Sequence, residues 1–373
     1  MSEPLAKQIY GYLADDEDAR VCKDIPEDAC SEVPAAFTLQ LAALTLTKLG
    51  DTLASAKLVL AWILSALGAP AIFIALLVPV REALSLLPQL FIAQMIREMP
   101  IRKWAWVIGA IGQAGALTAM VIAVTNLEGT PLGITIVSLL ALLSLSRGIC
   151  SVAAKDVLGK TVAKTRRGRL TGLAATTSGI VTLIAAAYIL FGPNVEDVTT
   201  YALMLGLAAA LFFVAAFVFA GVPEVEGATG GGGNAITEAI KSLSLLRDDR
   251  DFRHFVIARA LLIATAFATP YLVILIQQST TDGLFTGLGA LIMADGAVLS
   301  ALTLGIAIIT HRFLPVVFAN LAFASALLYL ASVAHQGTRV GRKTYLVDLA
   351  TSENRAQYTA VGNTVIGLFL LLG

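Results

Sequence analysis

The sequence predicts an all-α, polytopic transmembrane helix bundle, and three observations predict it. Of 373 residues, 57% are apolar and 14% are charged, against roughly 25% charged in soluble domains. Mean hydropathy is +0.81. A chain so poor in charge cannot cover its apolar surface with a polar shell, so its solvent is lipid. Apolar runs long enough to cross a bilayer, about 20 residues each, recur along the chain. Lysine and arginine gather in alternate connections between them, as in multi-pass proteins.

Residues 1–33 come first. They are acid-rich (Asp15, Asp16, Glu17, Asp18, Asp24, Glu27, Asp28, Glu32) and lack the basic-then-apolar order of a cleavable signal, so they are expected to stay outside the bilayer. Six runs follow, at roughly 37–66, 71–96, 104–126, 132–154, 171–192 and 199–221. Several have no polar face, which argues against core helices of a soluble protein. In the third, Gly109, Gly112 and Gly115 are spaced in threes and are expected to line a face where another helix packs closely. A polar interval at 222–252 contains Gly227 and Gly230 to Gly233, a flexible tether, then an amphipathic stretch from Ala235 to Leu246. Four more runs occupy roughly 254–277, 284–310, 313–334 and 357–373.

The connection after the second run carries Arg97, Arg102 and Lys103, and the one after the fourth carries Lys155, Lys160, Lys164, Arg166, Arg167 and Arg169. The one after the sixth carries Lys241, Arg247, Arg250 and Arg253, whereas the intervening connections hold no basic residue. The basic loops are therefore expected in the cytoplasm, with the amino terminus on the same side. The expected units are an acidic segment (1–33), a six-helix lobe (34–221), a cytoplasmic linker (222–252) and a second, incomplete lobe (253–373).

Two six-helix lobes joined by a cytoplasmic linker resemble the major facilitator superfamily. Arg97-Glu98-Met99-Pro100-Ile101-Arg102-Lys103 stands where that family keeps an acidic and Arg-Lys signature, without the family's glycines, and Arg147-Gly148 is similar to its arginine-bearing motif in the fourth helix. Lys48-Leu49-Gly50-Asp51 and the stretch from Arg339 to Asp348 resemble an uncharacterised bacterial branch, and the resemblance covers about residues 25–373. A weak internal repeat agrees: the segment from Arg147 through Lys155 to Arg167 and Thr171 and the segment from Gly337 through Arg342 to Arg355 and Thr359 share a small-residue span end, a basic loop and an Arg-x-x-x-Thr step. The resemblance implies twelve helices where about ten runs are present. The run at 284–310 is long enough for one crossing and too short for two. It resembles the front of an eighth helix fused to the back of a ninth, so the native protein is expected to be longer.

Ionisable groups in mid-membrane each need a partner or a water-filled cavity. Asp51 lies mid-run in the first span with Lys48 one turn before it, and Arg81 and Glu82 lie at similar depth in the second, which makes a polar cluster geometrically plausible. Arg147 has no acid in its own span and must find its counter-charge at Asp51, Glu82 or an anionic substrate; Asp295 is the candidate in the second lobe. Asp51 or Glu82 is expected to carry a proton. The alternative is a permanent ion-pair cluster that only fixes packing. Glu98, Arg102, Lys103, Arg342 and Lys343 are expected to form a cytoplasmic latch between lobes.

The expectation is a secondary active transporter of the inner membrane that moves a small solute by alternating access, coupled to protons. The alternative is a non-transporting sensor or assembly platform. No enzyme, metal or cofactor is expected: Cys22, Cys30 and Cys150 fit no metal spacing, His-Glu-x-x-His and Gly-x-Ser-x-Gly are absent, and the glycine run lacks the Lys-Ser/Thr of a phosphate loop. The first two cysteines are expected to be free thiols. A formal net charge of zero excludes a nucleic-acid partner.

Overall fold

The structure, a computed structural model, describes residues 30–89, 98–191, 197–226, 245–264 and 355–372, together with residues 6, 10, 11, 92, 95, 96, 269–271, 273 and 274. Among them every regular element is a helix. Helix α1 spans Val33–Leu53, with proline in its first turn, where the fixed φ suits a helix start. At Ser55 ψ is 116°, so the helix breaks; the chain winds as a π-turn over Ala56–Leu60 and resumes as α2, Ala61–Ala66. Val33–Ala66 together form one crossing of 34 residues. Helix α3 is Ala71–Leu86, with Pro79 in its interior. Then come α4 (Lys103–Asn126), α5 (Gly129–Thr161), α6 (Lys164–Phe191), α7 (Val198–Ala220), α8 (Arg250–Ala264) and α9 (Arg355–Leu372).

The first six runs thus appear as helices, with one difference in kind. The basic stretch 155–169 is expected as a loop, yet α5 continues to Thr161 and α6 begins at Lys164. Hydropathy marks where a helix leaves hydrocarbon, not where it ends; lysine and arginine are good helix formers, so the helices project past the apolar edge. The runs at 284–310 and 313–334 lie outside the described residues, as do Asp295, Arg342 and Lys343. Cys30 is disulfide-bonded, not the free thiol expected, because cysteine count alone does not decide pairing.

In the first lobe α4 packs on α5 and α7, α1 on α6 and α7, and α3 on α5. One core gathers Trp62, Leu117, Leu140, Tyr201, Leu205 and Phe212. Within it the Trp62 indole N–H donates to the Tyr201 hydroxyl at 3.2 Å, which satisfies two polar groups that hydrocarbon could not. Toward the other end Trp106 stacks on Phe219 with ring centroids 3.9 Å apart. The outside is apolar as well: Leu203 and Phe217 are each 68% exposed, and Ile108 is 62%. A water-facing surface would not carry such side chains in number, whereas acyl chains accept them. The chain is a multi-pass membrane protein.

Close helix approach depends on missing side chains. A Cβ on Gly109 would stand 2.7 Å from both the Ser146 carbonyl oxygen and the Cys150 sulfur, and one on Gly112 would stand 2.6 Å from the Ser146 hydroxyl. Gly115, expected on the same packing face, has nothing within 4 Å of that point. Each three-residue step falls about 60° short of a full turn, so by Gly115, which is exposed, the series has rotated off the packed face and the close approach covers two of the three glycines. At the far end Gly68 and Gly129 adopt left-handed φ of 69° and 59°, a region glycine enters without steric cost. The Gly129 N–H donates to the Leu67 carbonyl at 3.0 Å, joining the two connections there.

The later helices meet the earlier ones along α3. Helices α8 and α9 pack together, and α9 lies on α3. Ala83, Leu86, Phe252, Val256, Val361 and Ile366 share one apolar cluster. The Asn363 side-chain amide donates to the Gln89 side-chain carbonyl at 3.0 Å.

The glycine geometry separates two substitutions of identical chemistry. Gly109→Ala forces a methyl against backbone and is expected to cost about 1–3 kcal/mol, the usual penalty of overpacking. Gly115→Ala meets open space and is expected to leave the thermal unfolding midpoint of the detergent-purified protein unchanged. Equal midpoints for the two variants would overturn the packing argument.

Candidate functional site

Three charged side chains from three helices converge in the middle of the first lobe. Asp51 stands on α1 two residues before that helix ends at Leu53. Arg81 stands on α3 two residues after Pro79, which has no N–H to donate and whose ring pushes away the carbonyl one turn earlier. Arg147 lies within the long α5. Arg81 Nη2 donates to Asp51 Oδ1 at 2.8 Å, and Arg147 Nη1 donates to the same oxygen. The side chains keep 21% (Asp51), 14% (Arg81) and 34% (Arg147) of their surface exposed. Backbone departs from regular helix just past Asp51, where α1 breaks at Ser55 and the chain winds as a π-turn. Irregular backbone inside a membrane protein occurs where it is buried in protein or lines a polar space, and π-turns recur at such places.

One oxygen of Asp51 accepts from both guanidinium groups, and Arg81 Nη1 is buried with no hydrogen-bond partner among the described residues. Glu82 neighbours Arg81 in sequence, and its charge is felt by both arginines. Lys48, one turn before Asp51 on α1, donates from its ammonium to the Thr171 carbonyl on α6 at 3.5 Å.

A second charged cluster sits where α4 begins and α5 and α7 end. Glu224, just past α7, has a fully buried side chain. Its two oxygens accept the backbone N–H of Arg102 at 3.0 Å and of Lys103 at 2.6 Å, and Oε1 also accepts the Lys160 ammonium at 2.9 Å. A carboxylate here caps the start of α4, where unsatisfied N–H groups and the helix dipole favour negative charge. The Arg102 guanidinium pairs with Asp156, and Lys103 Nζ donates to the Val222 carbonyl at 2.8 Å. In this arrangement Arg102 and Lys103 are engaged inside the first lobe. Glu98 is exposed in the turn before them. Asp156 and Glu224 escape a sequence reading that counts only cations in connections; the available signal is Pro223-Glu224, an acid placed directly after an apolar run.

No family model and no curated protein matches the chain. Among solved structures it is similar to a POT family transporter in complex with 5-aminolevulinic acid, at TM-score 0.63 and 10% identity over 89% of this chain and 88% of that one. It is similar to the nucleoside transporter NupG at TM-score 0.59 and 14% identity, over 90% and 89% of the two chains. It is also similar to the xylose transporter XylE from E. coli in an inward-open conformation, at TM-score 0.55 and 12% identity, over 90% and 87%. The fold is the one these solved transporters share. The Asp51 cluster joins α1, α3 and α5, and α3 also carries the contact with α9.

The clamp around Glu224 generates a graded expectation. Glu224→Ala strands three donors, each costing about 1–3 kcal/mol when left buried and unpaired. Lys160→Ala leaves the carboxylate still held by two backbone N–H groups and is expected to lower the unfolding midpoint much less. A larger loss from Lys160→Ala than from Glu224→Ala would show that the lysine, not the helix cap, carries the clamp.

Proposed function

We propose that this protein is a secondary transporter of the cytoplasmic membrane, with its amino terminus in the cytoplasm, that moves a small solute by alternating access and draws on a proton gradient. The observation that carries the reading is Asp51, a titratable acid in mid-membrane shared by two arginines on separate helices, inside a fold whose solved neighbours are transporters.

The chemistry follows from charge balance. Ionised Asp51 ties α1 to α3 and α5 through one oxygen. A proton on that carboxylate removes the charge that both guanidinium groups face, and charge-assisted hydrogen bonds are roughly twice as strong as neutral ones. The α3 helix is then held less firmly against α5. Because α9 packs on α3, proton occupancy at Asp51 reaches the contact between the lobes, where Gln89 and Asn363 meet. Glu82, beside Arg81, is the second acid in reach of the same cations, and Lys48 borders the cluster on α1. Asp295 is the proposed counterpart in the other lobe. For the latch, the Glu224 clamp supports a division of labour: Arg102 and Lys103 fix the end of the first lobe, and Glu98 with Arg342 and Lys343 serves the contact across lobes.

Two experiments on the protein reconstituted in vesicles test this. Asp51→Asn, which keeps shape and removes the proton site, is expected to abolish gradient-driven uptake across a solute panel while the purified variant stays monodisperse and helical. Parent-level uptake would remove Asp51 from the coupling. Separately, cysteines at Gln89 and Asn363 joined by a short bifunctional reagent are expected to halt transport. A joined protein that transports at the parent rate would mean that this contact never opens.

A further inference from the structure

The amino-terminal segment is seated on the lobe. Ala6, Tyr10 and Gly11, the described residues ahead of Cys30, are helical, and Ala6 is 2% exposed. The Tyr10 ring meets the Phe37 ring of α1 edge-on, with centroids 5.4 Å apart. The Arg166 guanidinium of α6 stands over the same Tyr10 ring, 5.3 Å from its centroid. Tyr10, Phe37, Leu41, Leu158, Val162 and Leu170 share one apolar cluster, so the seat lies where α1 and α6 begin and α5 ends. Aromatic burial and a cation over a ring both stabilise it.

Residues 12–29 leave this seat after Gly11 and return to the lobe at Cys30, three residues before α1 begins. Both of their ends are therefore held at one end of the lobe. They carry seven acids, four of them in the run Asp15 to Asp18, against two bases. The surface beside the seat has the opposite sign. Lys164, Arg166, Arg167 and Arg169 open α6, and no acid stands between Asp156 and Glu196. Cations in a first turn oppose the helix dipole, whose positive end lies there, so this surface favours negative charge from elsewhere. Asp156 and Glu224 do not supply it, because they engage Arg102 and Lys160 in the clamp.

We propose that residues 12–29 occupy this basic surface: they are an acidic clasp, built into the chain, that lies across the start of α6 and supplies the negative charge that a lipid surface would otherwise bring. The apolar seat at Tyr10 fixes its position, and charge holds the rest. Exposed ion pairs are individually weak, but a segment attached at both ends needs no strong ones, since its effective concentration beside the surface is high. The clasp fastens the start of α1 to the start of α6. It stands apart from the transporter reading, because it draws on neither Asp51 nor the contact between α3 and α9.

A carbodiimide joins a carboxylate to an amine that touches it, and mass spectrometry reads the joined peptides. In the full chain, in non-ionic detergent and in phosphatidylcholine vesicles, a carboxylate of residues 12–29 is expected to join Lys164. The yield is expected to fall as salt rises from about 0.1 M to about 1 M, over which the screening length drops from about 10 Å to about 3 Å. Tyr10→Ala loses the seat and is expected to cut the yield about tenfold, the factor that roughly 1.4 kcal/mol of lost contact produces. Tyr10→Phe is expected to keep the parent yield, because the Tyr10 hydroxyl is buried with no hydrogen-bond partner among the described residues. Arg169→Glu reverses an exposed charge and is expected to lower the yield about threefold. Absence of joining between residues 12–29 and Lys164 in the parent overturns the proposal, as does a yield that salt leaves unchanged. So does joining confined to two-chain products, which would make the occupant a second copy. Joining that vanishes in vesicles containing phosphatidylglycerol gives the surface to lipid headgroups and overturns it too. If Tyr10→Ala does not fold, a yield that Arg169→Glu leaves at the parent level is the overturning result.

Discussion

Hydrocarbon tolerates no uncompensated charge, and the first lobe is arranged around that constraint. An ionised side chain at the bilayer centre costs about 2.5–3.5 kcal/mol even on the lenient insertion scale. Asp51, Arg81 and Arg147 each meet it by meeting one another, and because they come from three helices the ion pairs are also tertiary contacts. The pairing therefore does two things at once. It makes the charges bearable, and it fastens α3 and α5 to α1 through one oxygen of Asp51.

The rest of the lobe gives that arrangement room. Glycines at 109 and 112 let α4 and α5 approach until side chains on one touch the backbone of the other, while Gly50 lets α1 close on the Phe212 ring. Beside the cluster the backbone of α1 breaks just after Asp51, while α3 runs unbroken through Pro79 to Arg81. Close packing away from the cluster and irregular backbone beside it are complementary uses of the same few residues. At the end that leads to the basic connections, Glu224 binds the start of α4 and the end of α5, so the charged rim is fixed to the lobe instead of being left to solvent.

Much of the architecture was legible before any coordinates. The apolar runs have no other use than burial in lipid, and the six at the front of the chain fall on helices, of which α5 and α6 run on to Thr161 and from Lys164, about two turns past the expected edges. The depth argument that sets Asp51 opposite Arg81 corresponds to the 2.8 Å ion pair. Other features were not legible. Gly115 repeats the spacing of Gly109 and Gly112 but borders open space, because each three-residue step falls about 60° short of a full turn and carries the third glycine off the packed face.

What the sequence by itself determined is what depends on composition and order along one segment: immersion in lipid, the helical class, the helices of the first lobe, and which residues would need a counter-charge. Only the tertiary structure decided who supplies it. That Asp51 is shared by two arginines, that Glu224 caps a helix about 120 residues earlier, and that α9 rests on α3 are matters of distance between segments far apart in the chain. Hydropathy and helical period are one-dimensional quantities. Electrostatic pairing falls off over a few ångströms of space, and space is what folding alone assigns.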